Sequence, residues 1–309
     1  MLEAALLAGT LVLSNAPGAI AAQSMAYPVK GMVLELGTGY RVDQFDWNIA
    51  GNSGGTGPNV LSELTWTDLE IVEFSVLGRK TVDNVYLRGS FNLGFIHSGE
   101  NRDSDYNGDN RTLEFSRSDN DGGGGTVWDA SLGAGYSGWA LTAGEGMFHL
   151  RPLIGFSAHK QNLTITDGFK SIPATGAFSS LNSTYRALWI GPWAGLDADY
   201  SSGALTVFGS LEMHGAVYRA KADWNLRSDF QHPVSFEHTA NAIGVVVALG
   251  ADYALTESLS AAASLKHQDW HAFSGTDRTF FSSGAVGDTR LNEVNWISDA
   301  FSIGLNYIF

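Results

Sequence analysis

The final residues of the chain alternate strictly. Phe301, Ile303, Leu305, Tyr307 and Phe309 fall on one face of an extended segment, and Ser302, Gly304 and Asn306 on the other. A period of two sustained over a whole segment predicts a β-strand. The pattern recurs upstream. Leu205, Val207, Leu211, Met213 and Val217 oppose Thr206, Ser210, Glu212 and His214. Val85, Leu87, Phe91, Leu93 and Phe95 oppose Arg88, Ser90 and Asn92. Phe148, Leu150, Ile154 and Phe156 oppose His149, Arg151, Ser157 and His159, and segments 241–253 and 259–265 behave alike. One face is wholly apolar while the other carries charge and small polar groups. That combination predicts a lipid-facing exterior and a polar lumen rather than the two sheets of a soluble sandwich.

Ten such segments can be counted, at 31–48, 60–77, 84–98, 126–141, 147–165, 184–200, 204–220, 240–254, 258–273 and 296–309. An even number suits a closed antiparallel barrel, with both ends of the chain on the periplasmic side. Short turns at 78–84, 142–146, 201–203 and 254–258 alternate with long polar loops at 49–59, 99–125, 166–183, 221–239 and 274–295, the asymmetry expected between periplasmic and outer ends. No stretch reaches the roughly 18 consecutive apolar residues of a membrane-crossing helix. The fold class is therefore all-β, a ten-stranded antiparallel transmembrane β-barrel. At ten strands the interior is narrow and largely filled by side chains, which disfavours a wide aqueous pore. Ahead of the barrel, the apolar run Ala4–Leu13 and the small residues that follow it predict a secretory signal peptide over 1–22. Residues 23–30 then form a periplasmic segment, and 31–309 the barrel with its extracellular loops.

Composition narrows the chemistry. Among 309 residues, 18 Lys and Arg face 32 Asp and Glu, a net charge of −14, and there is no cysteine. Disulfide scaffolds, thiol catalysis and cysteine-based metal sites are excluded. The acidic balance argues against nucleic acid as a partner. With the strand pattern, the expected partners are outer-membrane lipid and an extracellular ligand or peptide, and the expected location is the bacterial outer membrane.

The densest polar constellation is the second long loop. Asp103, Asp105 and Asn107 stand at positions one, three and five of a candidate calcium loop, with Gly108 at six, Asp109 next and Glu114 at twelve. On this reading the cofactor is calcium, although no helices flank the loop. His267-x-Asp269-x-His271 is a second metal-capable run, on a strand face that continues a lipid-facing row. Glu212, His214, Asp129, Arg88, Arg151 and Asp197 are expected to form a lumenal polar network, because buried charges need partners. Trp66, Trp128, Trp139, Trp189, Trp193 and Trp270 suit aromatic girdles at the membrane interfaces.

Asp103 and Asp105 admit another reading. Carboxylates at i and i+2 of an extended strand point to one side, where a pair can orient or deprotonate water. The Asp103-Ser-Asp105 triplet after the third strand resembles the Asp-x-Asp pair of the omptins, ten-stranded outer-membrane proteases. Arg41–Trp47, Leu64-Thr-Trp66 and Gly138–Leu141 resemble omptin segments too, and Gly155-Phe-Ser and Leu163-Thr-Ile more weakly. The resemblance implies an aspartate-dependent endopeptidase using Asp103, Asp105 and Asp223. Omptins complete that site with an Asp-x-His, and here Asn225 stands at the histidine position. An asparagine cannot take a proton from water. Lys221 occupies the position where omptins use a carboxylate to recognise a basic substrate side chain. His214, His232 and His238 are the neighbouring histidines able to substitute in space. The expectation is an omptin-like, non-proteolytic barrel whose acidic outer loops engage a ligand, an ion or a surface. The rivals are an omptin-type endopeptidase and a small-solute channel.

Overall fold

The structure, a computed structural model, describes residues 31–309; the expected signal peptide and the segment 23–30 lie outside the described residues. Fourteen strands build one sheet: β1 (Gly31–Ile49), β2 (Ser62–Val82), β3 (Val85–Gly108), β4 (Thr112–Asp121), β5 (Gly125–Tyr136), β6 (Trp139–Ala143), β7 (Gly146–Ile172), β8 (Gly176–Ala177), β9 (Asn182–Ser202), β10 (Leu205–Asp223), β11 (Phe236–Ala254), β12 (Leu259–Ala272), β13 (Gly275–Phe280) and β14 (Val286–Ile308). β4, β5 and β6 follow one another down a single stave, and β13 prolongs the stave of β12. The sheet closes because β1 pairs with β14 from Val33↔Ile308 to Ile49↔Leu291. The result is the expected ring of ten antiparallel staves.

The predicted faces hold. Leu211, Met213, Ile154, Phe156, Phe301, Ile303 and Leu305 are all exposed, and Glu212, His214, Ser157 and His159 are buried. Apolar residues lie outside and charged ones inside because each strand meets hydrocarbon on one face and a narrow lumen on the other.

The outer loops are a correction. β3 runs to Gly108 and β4 returns from Thr112, so most of 99–125 is a tall hairpin. β7, β10, β11, β13 and β14 likewise extend through much of the segments read as loops. In these upper segments polar residues interrupt both faces, and the large apolar ones, such as exposed Leu113, Phe115 and Phe169, no longer keep to one row. The hydrophobic alternation vanishes there although the backbone ladder continues.

Two bulges re-aim the tall strands. Pairing of β2 with β3 slips between Thr67↔Glu100 and Ile71↔Ile96, where Asp68 adopts a positive φ of 52°. The inward row of β2 passes from Ile71 and Leu69 to Trp66 and Leu64. In β3 it passes from Ile96 to Asn101, Asp103 and Asp105, since Leu64 pairs with Asp103 and Ser62 with Asp105. One extra residue flips every side chain beyond it, and this flip turns both aspartates inward.

The lumen is filled in two tiers. Low in the barrel, Arg41 is fully buried and holds Asp43 through two hydrogen bonds of 2.7 Å, Glu73 at 3.1 Å and Asp129 at 2.8 Å. His159 contacts Asp129 at 2.9 Å, and His214 lies 3.0 Å from both Ser157 Oγ and Glu212. Arg88 joins Asp197 and Glu212, and Arg151 joins Asp199. Above lies an aromatic plug. Trp47 stacks on Tyr185 at 5.7 Å, and Trp270 on Trp296 at 5.7 Å. Phe45, Trp66, Trp189, Tyr218 and Phe236 complete it, all buried. The aromatic-girdle expectation is thus corrected. Trp66, Trp189, Trp193 and Trp270 point inward and are buried, whereas Trp139 is exposed. Their parity follows the lumenal row, so they fill the barrel rather than line the membrane.

Candidate functional site

The site sits on top of the aromatic plug, at the end of the barrel bearing the tall hairpins. β3 presents Asp103 and Asp105 inward. Beside them β4 presents Ser116 and Ser118, which pair with Asp105 and Asp103. Lys170 of β7 pairs with Ser118 and donates to Ser116 Oγ at 2.6 Å. The segment between β10 and β11 brings Arg227 over the same mouth. Arg227 pairs with Asp229, bonding Oδ1 at 2.9 Å and Oδ2 at 2.8 Å, and covers the Phe230 ring at 4.0 Å. Its charge also acts on Asp103 and Asp105. Neither aspartate accepts a hydrogen bond among the described residues.

Electrostatics separate the Asp103 carboxyl from ordinary surface acids. Burial, and then the neighbouring Asp105 charge, push the Asp103 carboxyl up to about 7, while Lys170 and Arg227 act in the opposite sense. Desolvation disfavours the charged form and a like charge two residues away adds to it. Near neutral pH the Asp103 carboxyl therefore holds a proton that an incoming cation can displace.

The candidate calcium loop does not wrap. Asp103, Asp105 and Asn107 lie along one extended strand, so the first and third are about 13 Å apart at about 3.3 Å per residue. Oxygen ligands must all come within about 2.6 Å of one calcium ion. Asp109 Oδ1 instead accepts a hydrogen bond from the Asn59 backbone at 2.8 Å, and Glu114 pairs with Arg117. No group of three or more metal-capable side chains converges among the described residues. The His267–His271 run is likewise dispersed: His267 bonds Asp299 at 2.8 Å and His271 bonds Asn295 at 2.8 Å.

The remaining omptin-like positions are placed elsewhere. Tyr218, Ala220 and Ala222 are the buried inward row of β10, which leaves Lys221 and Asp223 on the outward row. Lys221 pairs with Glu237 at 2.9 Å. Asp223 does have a histidine, His232, whose Nδ1 lies 2.6 Å from its Oδ1. Asn225 is a tie between strands. Its Oδ1 accepts from Asn182 N at 2.9 Å and Ser183 Oγ at 3.1 Å, and its Nδ2 donates to Ser180 O at 2.6 Å. His214 belongs to the lumenal network. His238 is buried in the plug, 2.7 Å from Tyr185 OH and 3.2 Å from Asp277. Lys170 and Arg227 are the mouth residues that sequence reasoning missed, because nothing in a polar loop marks which cation folds inward.

Comparison with known proteins places this geometry. A family model described as the Protochlamydia outer membrane protein matches residues 35–309. The chain belongs to that family. Among solved structures it is similar to the outer membrane protease OmpT from Escherichia coli, at 13% identity and a TM-score of 0.69, covering 90% of this chain and 97% of that one. The outer membrane protein OprG from Pseudomonas aeruginosa matches at 12% identity and a TM-score of 0.37, covering 91% and 96%. The translocator domain of the autotransporter NalP from Neisseria meningitidis matches at 12% identity and a TM-score of 0.38, covering 92% and 90%. No curated protein sequence matches the chain. The barrel is an outer-membrane protein of bacteria with an OmpT-like fold.

Proposed function

We propose that the barrel is a sealed, non-proteolytic surface protein whose mouth binds cationic groups, foremost the Lys and Arg side chains of an extracellular peptide or protein. The observation that carries this reading is the Asp103–Asp105 pair, turned inward by the β2–β3 bulges over a floor of aromatic rings. The chain's own Arg227 faces that pair and marks the kind of group it accepts. A desolvated carboxylate pair rewards a guanidinium or ammonium more than water does, and aromatic faces add cation–π attraction. The plug argues against the channel reading. Against proteolysis stands the outward position of Asp223 and His232, which parts them from the carboxylates they would have to serve. The His232–Asp223 contact is nevertheless the observation that favours the endopeptidase rival.

Titration calorimetry on the purified barrel in detergent, with an arginine-rich and a glutamate-rich peptide of equal length, tests the proposal. The basic peptide binds and the acidic one does not. Affinity rises from pH 6 to pH 8, because the Asp103 carboxyl, held up to about 7, loses its proton across that window. Asp103→Asn weakens binding about tenfold or more and flattens the pH dependence. Mass spectrometry of the same mixtures finds the peptides intact. Equal binding of both peptides, or cleavage abolished by Asp103→Asn, overturns the reading.

A further inference from the structure

The outward row just above the lipid-facing belt is charged in two opposed patches. On one flank stand Lys160 of β7, Arg186 of β9 and Arg219 of β10. They alternate with buried His159, Tyr185 and Tyr218, so they face outward. None of the three has a carboxylate partner among the described residues. They are close neighbours: Leu188 pairs with both Lys160 and Arg219, and Arg186 pairs directly with Lys221. Like charges directly opposite across a ladder are unfavourable. Lys221 is relieved by Glu237 at 2.9 Å; Arg186 is not. Immediately below this patch the outward residues are apolar, with Val217 and Phe156 among them. The cations therefore mark the upper edge of the belt.

The opposite flank is acidic at the corresponding edge. Glu70 of β2, Asp299 of β14 and Asp269 of β12 all face outward, above Val72, Phe301 and Leu265. Val42 of β1 lies between Asp299 and Glu70 in the ladder. The Asp299 side chain is 70% exposed, and its one ion-pair neighbour among the described residues is His267. The basic patch centres on β9, the sixth stave, and the acidic patch, carried on the second, ninth and tenth staves, centres between β14 and β1, so the centres lie between four and five staves apart on a ring of ten. They are nearly opposed.

We propose that copies of this barrel pack side by side in the membrane, the Lys160–Arg186–Arg219 flank of one against the Glu70–Asp269–Asp299 flank of the next. A second copy is the occupant that satisfies both patches at once, with three cations against three carboxylates. A phosphate-bearing lipid would neutralise the cations and leave the acidic flank uncovered. Because the complementary flanks are opposed rather than identical, the contact is heterologous. A heterologous contact of this angle does not close on itself, so the assembly is a row of barrels. The inference is independent of what the mouth binds.

The chain lacks cysteine, which permits a direct test in native outer membranes. Leu188→Cys marks the basic flank and Val42→Cys the acidic one. After mild oxidation each single variant remains monomeric on non-reducing gels, while the double variant forms a ladder of dimers and higher multimers. Arg186→Glu with Arg219→Glu, added to the double variant, reduces the ladder about tenfold or more. Glu70→Arg with Asp299→Arg, added in turn, restores it. Heat-modifiable migration confirms that every variant is folded. Dimers from Leu188→Cys alone mean a basic-to-basic contact and overturn the proposal. A ladder insensitive to charge reversal overturns it as well. So does a monomeric double variant whose co-purified lipid phosphorus falls on Arg186→Glu, an outcome that assigns the basic flank to a phosphate-bearing lipid instead.

Discussion

The lower and upper halves of the lumen are lined by the same inward rows of the same staves, yet they are filled by opposite chemistry. Below, Arg41 satisfies Asp43, Glu73 and Asp129, and His159 and Lys266 approach the same carboxylates. Above, rings pack on rings; some of their polar atoms are tied off, while Trp47 Nε1 and Trp270 Nε1 have no hydrogen-bond partner among the described residues. Trp189 Nε1 donates to Gln161 at 3.1 Å, and Trp296 Nε1 to Asp43 at 3.0 Å. The difference teaches what each filling can lose. A buried ion cluster is stable only while it is complete, because any orphaned charge remains in a dry interior. A ring cluster loses area and gains a cavity, a graded cost.

The sharpest way to break the comparison is Arg41→Ala. It orphans three buried carboxylates, and it is expected to cost about 3–5 kcal/mol or more and to block refolding into vesicles. The check is heat-modifiable migration during urea titration. Arg41→Met combined with Asp43→Asn, Glu73→Gln and Asp129→Asn recovers most of that loss, since it removes the charges together. Recovery no better than Arg41→Ala alone would mean that the cluster is not held by charge.

Trp270→Ala comes next. It removes a ring in contact with Trp189, Trp296, His159 and His214. The expected loss is about 3 kcal/mol from the transfer and cavity terms, with the barrel still assembled. Planar-bilayer recordings extend the test. Wild type shows no steady conductance, and single ring deletions leave it closed because neighbouring rings remain. Steady conductance in wild type would sink the sealed-lumen reading.

The smallest effect is expected from Ser157→Ala, which removes one hydrogen bond to His214 while Glu212 still lies 3.0 Å from the other ring nitrogen. A loss of about 0.5–1.5 kcal/mol is expected in the same urea titration. At the mouth, Asp103→Asn is predicted to act in the opposite sense on stability. The native carboxyl keeps its proton up to about 7, against an unfolded value of about 3.9. The folded state thus binds more protons, and this group's contribution falls as pH rises between those values. The asparagine variant loses that pH dependence and is the more stable protein at pH 8.

Alternation along Leu205–Val217, Phe148–His159 and Phe301–Phe309 sufficed by itself to determine a ten-stave outer-membrane barrel and the lipid and lumen faces of its staves. Hydrocarbon on one side and a narrow lumen on the other impose a period of two that survives in any reading of the residues. What lies above the membrane was decided by tertiary structure alone. The hairpin of β3 and β4 has no apolar row to betray it, so residues 103–114 read as a calcium loop although they form the tip of a two-stranded hairpin. The inward turn of Asp103 and Asp105 depends on one-residue bulges near Asp68 and Ser98, which composition does not announce. Trp66, Trp189 and Trp270 have the same side chain whether they stand in a girdle or a plug, and only their parity against neighbouring strands places them inside. Asn225 spans from the end of β10 to β9, Arg227 comes within electrostatic range of Asp103 and Asp105, and His232 finds Asp223 on the outer flank. Each of these depends on how a chain turn folds back over the ring, a long-range packing outcome that no local pattern encodes.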